Sequence, residues 1–131
     1  RMIIDTCFFI DLMNEEVDAI QKFADLDFSG ISMFCSTISI FELYQGKGIL
    51  TNYQKESKKI EKVISQTEIL SFDKEASKTA GIITANLKNQ GNLIGRMDSM
   101  IAGVALSNNL PILTRNIKDF NRVPNLRLES Y

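Results

Sequence analysis

Short apolar runs alternate along the chain with longer stretches in which apolar residues recur every three or four positions. The short runs predict buried strands, and the wider spacing predicts helices with one apolar face. Five strands are predicted in this way, at residues 2–4, 31–36, 68–72, 110–114 and 126–129.

The stretches between these strands carry residues that typically start or stop helices. Asp73 is a suitable N-cap for a helix over residues 74–89, and Gly91 is a suitable stop for it. Asp98 is predicted to open a helix over residues 99–108. The other predicted helices cover residues 8–24 (as two short helices or one broken helix), residues 38–44 after an N-cap at Thr37, residues 51–66, and residues 116–120 as a short turn or helix.

Strands separated by helices predict right-handed crossover connections. The expected fold is therefore α/β, with a central parallel sheet of four to five strands and helices on both faces. The strands are apolar runs, as expected when both faces of a sheet are covered. Ligands of such sheets bind beyond the carboxyl ends of the strands, near the point where strand order reverses. Polar residues directly after a strand are therefore the candidates for chemistry.

The length of 131 residues fits one domain, and no low-complexity segment or internal repeat divides the chain. Arg1 precedes Met2, and we expect it to be a residue added ahead of the natural start. Asp5 and Asp11 interrupt the first apolar run, so neither a signal peptide nor a membrane span is predicted. A cytoplasmic protein is expected.

The chain contains no histidine. This absence excludes Ser-His-Asp and Cys-His nucleophile pairs, histidine-based cleavage of RNA, and the usual zinc sites. Cys7 and Cys35 belong to no paired metal-ligand motif and are predicted to be buried, reduced thiols. The net charge of -1 neither indicates nor excludes nucleic-acid binding, because a local basic patch is sufficient. Chemistry must therefore rest on carboxylates, amines, hydroxyls or a metal bound by oxygen.

Four acids stand where the predicted topology brings strand ends together. Asp5 directly follows the first strand, and Glu42 lies about one turn into the helix after the second. Asp98 begins the helix that leads to the fourth strand, and Asp119 shares with Asn116 the loop after it. Clustered carboxylates repel one another, and Mg²⁺ or Mn²⁺ would relieve that repulsion. Such an ion also activates water and polarises phosphoryl oxygens, so phosphodiester hydrolysis would need no histidine.

Each acid also has an ordinary structural interpretation. Asp98 could cap its helix, Asp119 could be a turn residue, and Glu42 could lie on the exposed face of an amphipathic helix. Asp5 is harder to explain in this way, because an acid at the end of a buried strand is costly unless it is paired or coordinated.

Four segments together resemble the motifs of the PIN-domain family, and most nearly those of its VapC-type toxins. Each motif alone is weak evidence for the family. The four occur in the family's order, and the resemblance extends over essentially the whole chain. The segments are MIIDT at residues 2–6 with Phe9 and Ile10, SIFELYQG at residues 39–46, DSMIAGVA at residues 98–105, and TRNIKDF at residues 114–120.

The resemblance implies a three-layer α/β/α fold and Mg²⁺- or Mn²⁺-dependent cleavage of RNA. Asp5, Glu42 and Asp98 match the family's metal-binding acids. Asp119, helped by Asn116, matches a fourth position that varies more. The resemblance also implies a homodimer and a neighbouring VapB-like antitoxin whose tail blocks the site.

Thr6 and Thr114 match hydroxyl positions of the family that orient ligands or water. Arg96 is a departure, because relatives often carry a further acid at this position, two residues before the acid of the third motif. An arginine there could contact phosphate or weaken a second metal site, so one metal is expected and the second is left open. The candidates for binding RNA phosphates are Arg96, Arg115, Lys118 and Arg122.

The main alternative is a non-catalytic RNA- or protein-binding module on the same fold, and Arg96 is its best support. A signalling receiver domain would need an acidic pair ending the first strand and a lysine after the last. A metal-dependent phosphatase would need a second acid two residues after Asp5. The chain has none of these residues, so both classes are disfavoured.

Overall fold

Five parallel strands form one sheet in the computed structural model, which describes all 131 residues. The strand order is β3-β2-β1-β4-β5. This confirms the predicted α/β fold with a parallel sheet, at the upper end of the expected strand number. The strands are β1 (Met2–Ile4), β2 (Met33–Ser36), β3 (Glu68–Leu70), β4 (Ile112–Leu113) and β5 (Leu128–Glu129).

Eight helices connect and cover these strands, and none combines the length and hydrophobicity that crossing a membrane requires. Residues 8–24, for which one broken helix or two short ones were predicted, fall in two separate helices. The helices are α1 (Thr6–Met13), α2 (Val17–Phe28), α3 (Thr37–Tyr44), α4 (Lys47–Thr51), α5 (Tyr53–Ile64), α6 (Lys74–Asn89), α7 (Arg96–Ser107) and α8 (Ile117–Phe120).

The sheet separates two apolar cores, because successive side chains of a strand point to opposite faces. Ile3 belongs to the core beneath α6 and α7, whereas Met2 and Ile4 belong to the core beneath α1, α2 and α5. Ile3 and Ile4 are both fully buried, which stabilises the fold by roughly 2 kcal/mol for each side chain. The result is the three-layer arrangement that the resemblance implied.

Gly103 allows α7 to pack closely against α6. A Cβ at this position would lie 2.6 Å from the backbone oxygen of Ala76 and 2.8 Å from the Cβ of Ala80. Because backbone cannot move aside cheaply, only glycine fits here. The close contact fixes α7, whose first turn carries Asp98.

The predicted N-cap of α3 was wrong by one residue. Ser36 caps the helix, since its Oγ accepts a hydrogen bond from the Ser39 N–H at 3.1 Å. The hydroxyl of Thr37 instead accepts from the Phe72 N–H at 3.0 Å. Thr37 therefore ties the start of α3 to the end of β3 rather than capping its own helix.

Asp98 does not open its helix. The helix begins two residues earlier, at Arg96, with Gly95 at the N-cap position. Asp98 lies in the first turn, where a negative charge interacts favourably with the helix dipole. Its carboxylate is thereby free to face the sheet edge instead of being used as a cap.

The remaining differences concern boundaries. Most strands are shorter than predicted, and the loop after α3 contains the extra helix α4. The next helix starts at Tyr53 rather than Thr51, because Asn52 Oδ1 accepts from the Lys55 N–H at 3.2 Å. Gly91 follows α6 with a φ of +67°, a conformation that favours glycine, so this predicted stop is confirmed.

Candidate active site

The candidate site lies at the carboxyl ends of β1 and β4, where strand order reverses. The chain proceeds from β1 through β2 to β3 and then returns to the other side of β1 at β4. Asp5 follows β1 and donates its backbone N–H to Leu113 O at 3.0 Å. Thr114 follows β4 directly. The topological crevice that the sequence predicted is therefore lined by these two residues.

Asp5 is buried and accepts three hydrogen bonds. The Thr6 N–H donates to Oδ1 at 2.8 Å, and the Thr114 hydroxyl donates to Oδ2 at 2.7 Å. The Cys7 thiol also donates to Oδ2, at 3.2 Å. Burial raises the pKa of Asp5, and these three hydrogen bonds oppose the rise. The same carboxylate caps α1, which explains why that helix begins at Thr6.

Glu42 accepts a hydrogen bond at the end of a row of three hydroxyls. Thr6 Oγ1 donates to Glu42 Oε1 at 2.6 Å and lies 2.8 Å from Ser39 Oγ. Ser36 Oγ donates in turn to Ser39 at 3.5 Å. Burial raises the pKa of Glu42; the bond from Thr6 opposes the rise, and the charge of Asp5 adds to it. The capping residues of α3 therefore also orient its acid.

Asp98 and Asp119 share one side-chain amide. Asn116 Nδ2 donates to Asp98 Oδ2 at 3.3 Å and to Asp119 Oδ2 at 3.2 Å. The backbone N–H of Asn116 donates to Thr114 Oγ1 at 2.9 Å, which fixes the loop between β4 and α8. One short loop therefore links Asp5 to the other two acids.

The charges of the other three acids act on Asp98. Burial, together with the negative charges of Asp5, Glu42 and Asp119, raises the pKa of Asp98 to about 6. The structure thus brings together the four acids that the sequence singled out. No salt bridge neutralises any of them.

The donor set suits a hard divalent cation such as Mg²⁺ or Mn²⁺, because it consists of carboxylate oxygens supported by hydroxyls and an amide. The four acids repel one another, and a cation between them would reverse that effect. No three acidic or thiol groups already have the spacing of a metal-binding set. A shared ion would therefore require the carboxylates to lie closer together than they do here.

Four residues near the site were not predicted to belong to it. Ser39 was part of a motif, and its spacing from Glu42 on one helix face could have identified it. Cys7 was predicted to be a buried structural thiol but is only partly buried and contacts Asp5; Cys35 is buried as expected. Asp11 and Tyr131 form a cluster behind Cys7. Only the tertiary fold brings Tyr131 there.

The basic residues predicted to bind RNA differ in whether their side chains already bond to other residues of the protein. Arg96 and Lys118 are exposed and form no salt bridge. Arg115 pairs with Asp11, with 3.3 Å between Nη2 and Oδ2. Arg122 donates to the backbone oxygen of Leu93 at 2.9 Å. Arg96 and Lys118 are therefore the two whose charges are not already engaged.

Fold and site together define a class: a doubly wound α/β protein with a carboxylate cluster at its topological switch point. The family model described as "PIN domain" matches residues 2–126. The chain is 30% identical over 131 residues to the "tRNA(fMet)-specific endonuclease VapC" of Salmonella typhimurium, covering all of this chain and 98% of that protein. It is 28% identical over 128 residues to "Ribonuclease VapC2" of Rickettsia felis, covering 98% of this chain and 96% of that one.

A solved structure is also similar to this chain. The crystal structure of VapBC2 from Rickettsia felis, bound to a DNA fragment from its promoter, contains a chain that superimposes with a TM-score of 0.89 at 27% identity. The match covers 99% of this chain and 98% of that one. The chain therefore belongs to the PIN-domain family, among its VapC proteins.

Proposed function

We propose that this chain is a divalent-metal-dependent endoribonuclease, the toxin of a toxin–antitoxin pair. The observation that carries the proposal is the convergence of four acids at the switch point. Asp5, Glu42 and Asp98 come from three different elements, and each accepts a hydrogen bond from a hydroxyl or amide. The names of the VapC relatives, which denote ribonucleases and a transfer-RNA endonuclease, support RNA as the substrate.

Asp5, Glu42 and Asp98 are the residues that would hold Mg²⁺ or Mn²⁺. When bound, the ion supplies charge stabilisation at the phosphoryl group and a more acidic water. Asp119 acts more loosely, through water or a second ion. The positive charge of Arg96 would weaken the binding of a second ion.

The supporting residues fix orientation. Thr114 holds Asp5 Oδ2, and Thr6 holds Glu42 Oε1. Asn116 keeps Asp98 and Asp119 turned toward each other across one amide group. These neutral donors stabilise the ionised carboxylates and restrict their rotation, which prepares the acids for a shared ion.

RNA would be held at the rim of the site by phosphate contacts. Arg96, at the first residue of α7, can bind phosphate through two parallel hydrogen bonds, and Lys118 adds a mobile charge on α8. Arg115 contributes charge from the loop between β4 and α8, although its guanidinium also pairs with Asp11.

We further propose a homodimer and a VapB-like antitoxin as partners. An apolar groove of about 580 Å³ lies between α1, α2 and α5 and supports docking of a peptide segment. The apolar residues Leu12, Met13, Phe23 and Val63 line it together with Glu15, Lys59, Lys62 and Gln66. An antitoxin segment with apolar and acidic side chains matches this groove. Light scattering on the purified chain, alone and with its antitoxin, tests both partners.

The second candidate function is a non-catalytic binding module on the same fold. The specific observation in its favour is that no three acids already form a metal-binding set. Calorimetric titration with Mn²⁺ separates the two functions. Saturable binding at or below millimolar concentration supports the nuclease, and no binding supports the module.

The decisive experiment is RNA cleavage in Mg²⁺ compared with EDTA. A substrate panel should contain initiator transfer RNA, other transfer RNAs and ribosomal RNA, because one relative is named for transfer RNA(fMet). Asp5→Asn and Asp98→Asn should each reduce cleavage at least about 100-fold, since each removes a charge that supports the ion.

Asp27→Asn is the matched control. Asp27 is an exposed acid beside Ser32 and Glu68, near the starts of β2 and β3, at the opposite edge of the sheet. This variant should cleave at the wild-type rate. Full activity in Asp5→Asn and Asp98→Asn, or undiminished cleavage in EDTA, would refute the proposal.

A further inference from the structure

A second polar cluster lies directly behind Asp5. The Tyr131 hydroxyl donates to Asp11 Oδ2 at 2.6 Å, and the same oxygen lies 3.3 Å from Arg115 Nη2. The Arg115 guanidinium also lies over the Tyr131 ring, 5.0 Å from its centroid. Burial raises the pKa of the Tyr131 hydroxyl, so it stays a proton donor. We call Asp11, Arg115 and Tyr131 the Tyr131 brace.

The Tyr131 brace contacts the residues that hold Asp5. Tyr131 Oη lies 3.6 Å from Cys7 Sγ, and Cys7 Sγ lies 3.2 Å from Asp5 Oδ2. The Cys7 sulfur is also 3.7 Å from Thr114 Oγ1. The Tyr131 ring meets the Phe8 ring edge-on, with 4.7 Å between centroids. Only one atom, the Cys7 sulfur, therefore separates the Tyr131 hydroxyl from the Asp5 carboxylate.

The members of the brace come from separate parts of the chain. Asp11 lies on α1, Arg115 lies in the loop between β4 and α8, and Tyr131 follows β5. The first two segments also carry the donors to Asp5, namely Cys7 and Thr114. Tyr131 contacts both segments at once. A charge-assisted hydrogen bond and a cation–π contact give this connection strength that a single apolar contact would lack.

We propose that Tyr131 is a positioning residue for Asp5. Through Asp11 and Arg115 it holds α1 against the loop after β4, so that Cys7 and Thr114 keep their hydrogen bonds to the Asp5 carboxylate. The part of the inference that concerns ion binding rests on the proposed function. It follows that the main role of Arg115 is its contact with Asp11 and Tyr131 in the brace, and not the binding of phosphate.

The test removes only the hydroxyl, with Tyr131→Phe, which keeps the ring contacts to Phe8 and Arg115. The first readout needs no metal: amide hydrogen exchange at Thr6 and Asn116, whose N–H groups donate to Asp5 and Thr114. We expect faster exchange at both amides. The second readout is Mn²⁺ affinity by calorimetry, which we expect to fall about 10-fold, as is typical when a ligand's supporting partner is lost.

Tyr44→Phe is the matched control. It also removes a partly buried tyrosine hydroxyl, one that lies 3.1 Å from Ser57 Oγ between α3 and α5. It should lower the melting temperature about as much as Tyr131→Phe does, while leaving exchange at Thr6 and Asn116 and the Mn²⁺ affinity unchanged. A purely structural role of Tyr131 would make the two variants alike in every readout.

A double-mutant cycle with Asp11→Ala completes the test. Asp11→Ala removes the acceptor of the Tyr131 hydroxyl, so the double variant should be little worse than the more affected single variant. Full additivity, or wild-type exchange at Thr6 and Asn116 in Tyr131→Phe, would overturn the brace. A wild-type chain that binds no Mn²⁺ would refute the metal site, and the exchange measurement would still decide the role of Tyr131.

Discussion

Asp5 accepts three hydrogen bonds from its surroundings, whereas Asp98 and Asp119 share a single side-chain amide. The bonds to Asp5 include one of 2.7 Å and one of 2.8 Å, and those from Asn116 are 3.2 and 3.3 Å. Asp5, which we call the tight half of the cluster, is thus held by short hydrogen bonds. Asp98 and Asp119, which we call the loose half, are held by longer ones.

The difference shows where a cation would contribute most. The hydrogen bonds to Asp5 offset part of the effect of burial, although the pKa of Asp5 is still raised. Asp98 has no such compensation, and burial together with three neighbouring charges raises its pKa to about 6. In the proposed metal site, Asp5 would therefore fix the position of the ion, and Asp98 would gain the most charge stabilisation from it.

The largest expected effect comes from a substitution in the tight half. Asp5→Asn should lower cleavage at least about 100-fold, because it removes a fixed charge that no neighbour can replace. Asp119→Asn should lower it only about 10-fold, because Asp119 is proposed to act through water or a second ion and not as one of the three acids that would hold the first ion. Single-turnover cleavage rates of both variants measure the difference. Equal losses would contradict the weaker role proposed for Asp119.

The next largest effects are expected from the residues that donate hydrogen bonds to the acids. Thr114→Val keeps the side-chain volume but removes the donor to Asp5 and the acceptor of the Asn116 N–H, in a fully buried position. Mn²⁺ affinity should fall about 10- to 100-fold.

Asn116→Ala removes longer bonds on the loose side, and its loss should stay below about 10-fold. Calorimetry on both variants gives the comparison. A larger loss in Asn116→Ala than in Thr114→Val would reverse the assignment of tight and loose halves.

The sequence predicted the tight half more securely than the loose one. A buried acid at the end of an N-terminal strand is costly without partners, so Asp5 stood out from local pattern alone. The role of Thr114 was implied only by the family resemblance, and the structure places its hydroxyl 2.7 Å from Asp5 Oδ2. The prominence of Asp5 needed only the period of the apolar residues.

The rest depended on information that local sequence does not contain. Asp98 was expected to open its helix, and only the close packing of Gly103 against Ala76 and Ala80 shows how α7 is fixed with Asp98 in its first turn. Tyr131 reaches Cys7 across 124 positions of sequence, a contact that no periodicity reveals. The predicted pairing of Arg115 with phosphate likewise overlooked Asp11, which only the fold brings near.

The smallest expected effect tests the loose half without RNA. In the metal-free protein the pKa of Asp98 is raised to about 6, above the value near 3.8 of an unperturbed aspartate. The folded state therefore binds its proton more tightly than the unfolded state does. The free energy of unfolding falls as pH rises from about 4 to 6 and stays lower above that range.

Asp98→Asn removes this penalty, so in EDTA it should be more stable than wild type at pH 7.5 and equal to it at pH 3.5. We expect a gain of about 1 kcal/mol, which allows for solvent screening of a half-exposed group, or about 3–5 °C in Tm. Asp27→Asn should show no such pH-dependent gain. Saturating Mn²⁺ should reverse the order, because only the wild-type site gains stability from binding the ion. Equal stability of Asp98→Asn and wild type at both pH values would mean that burial and the neighbouring charges do not destabilise ionised Asp98 in the folded protein.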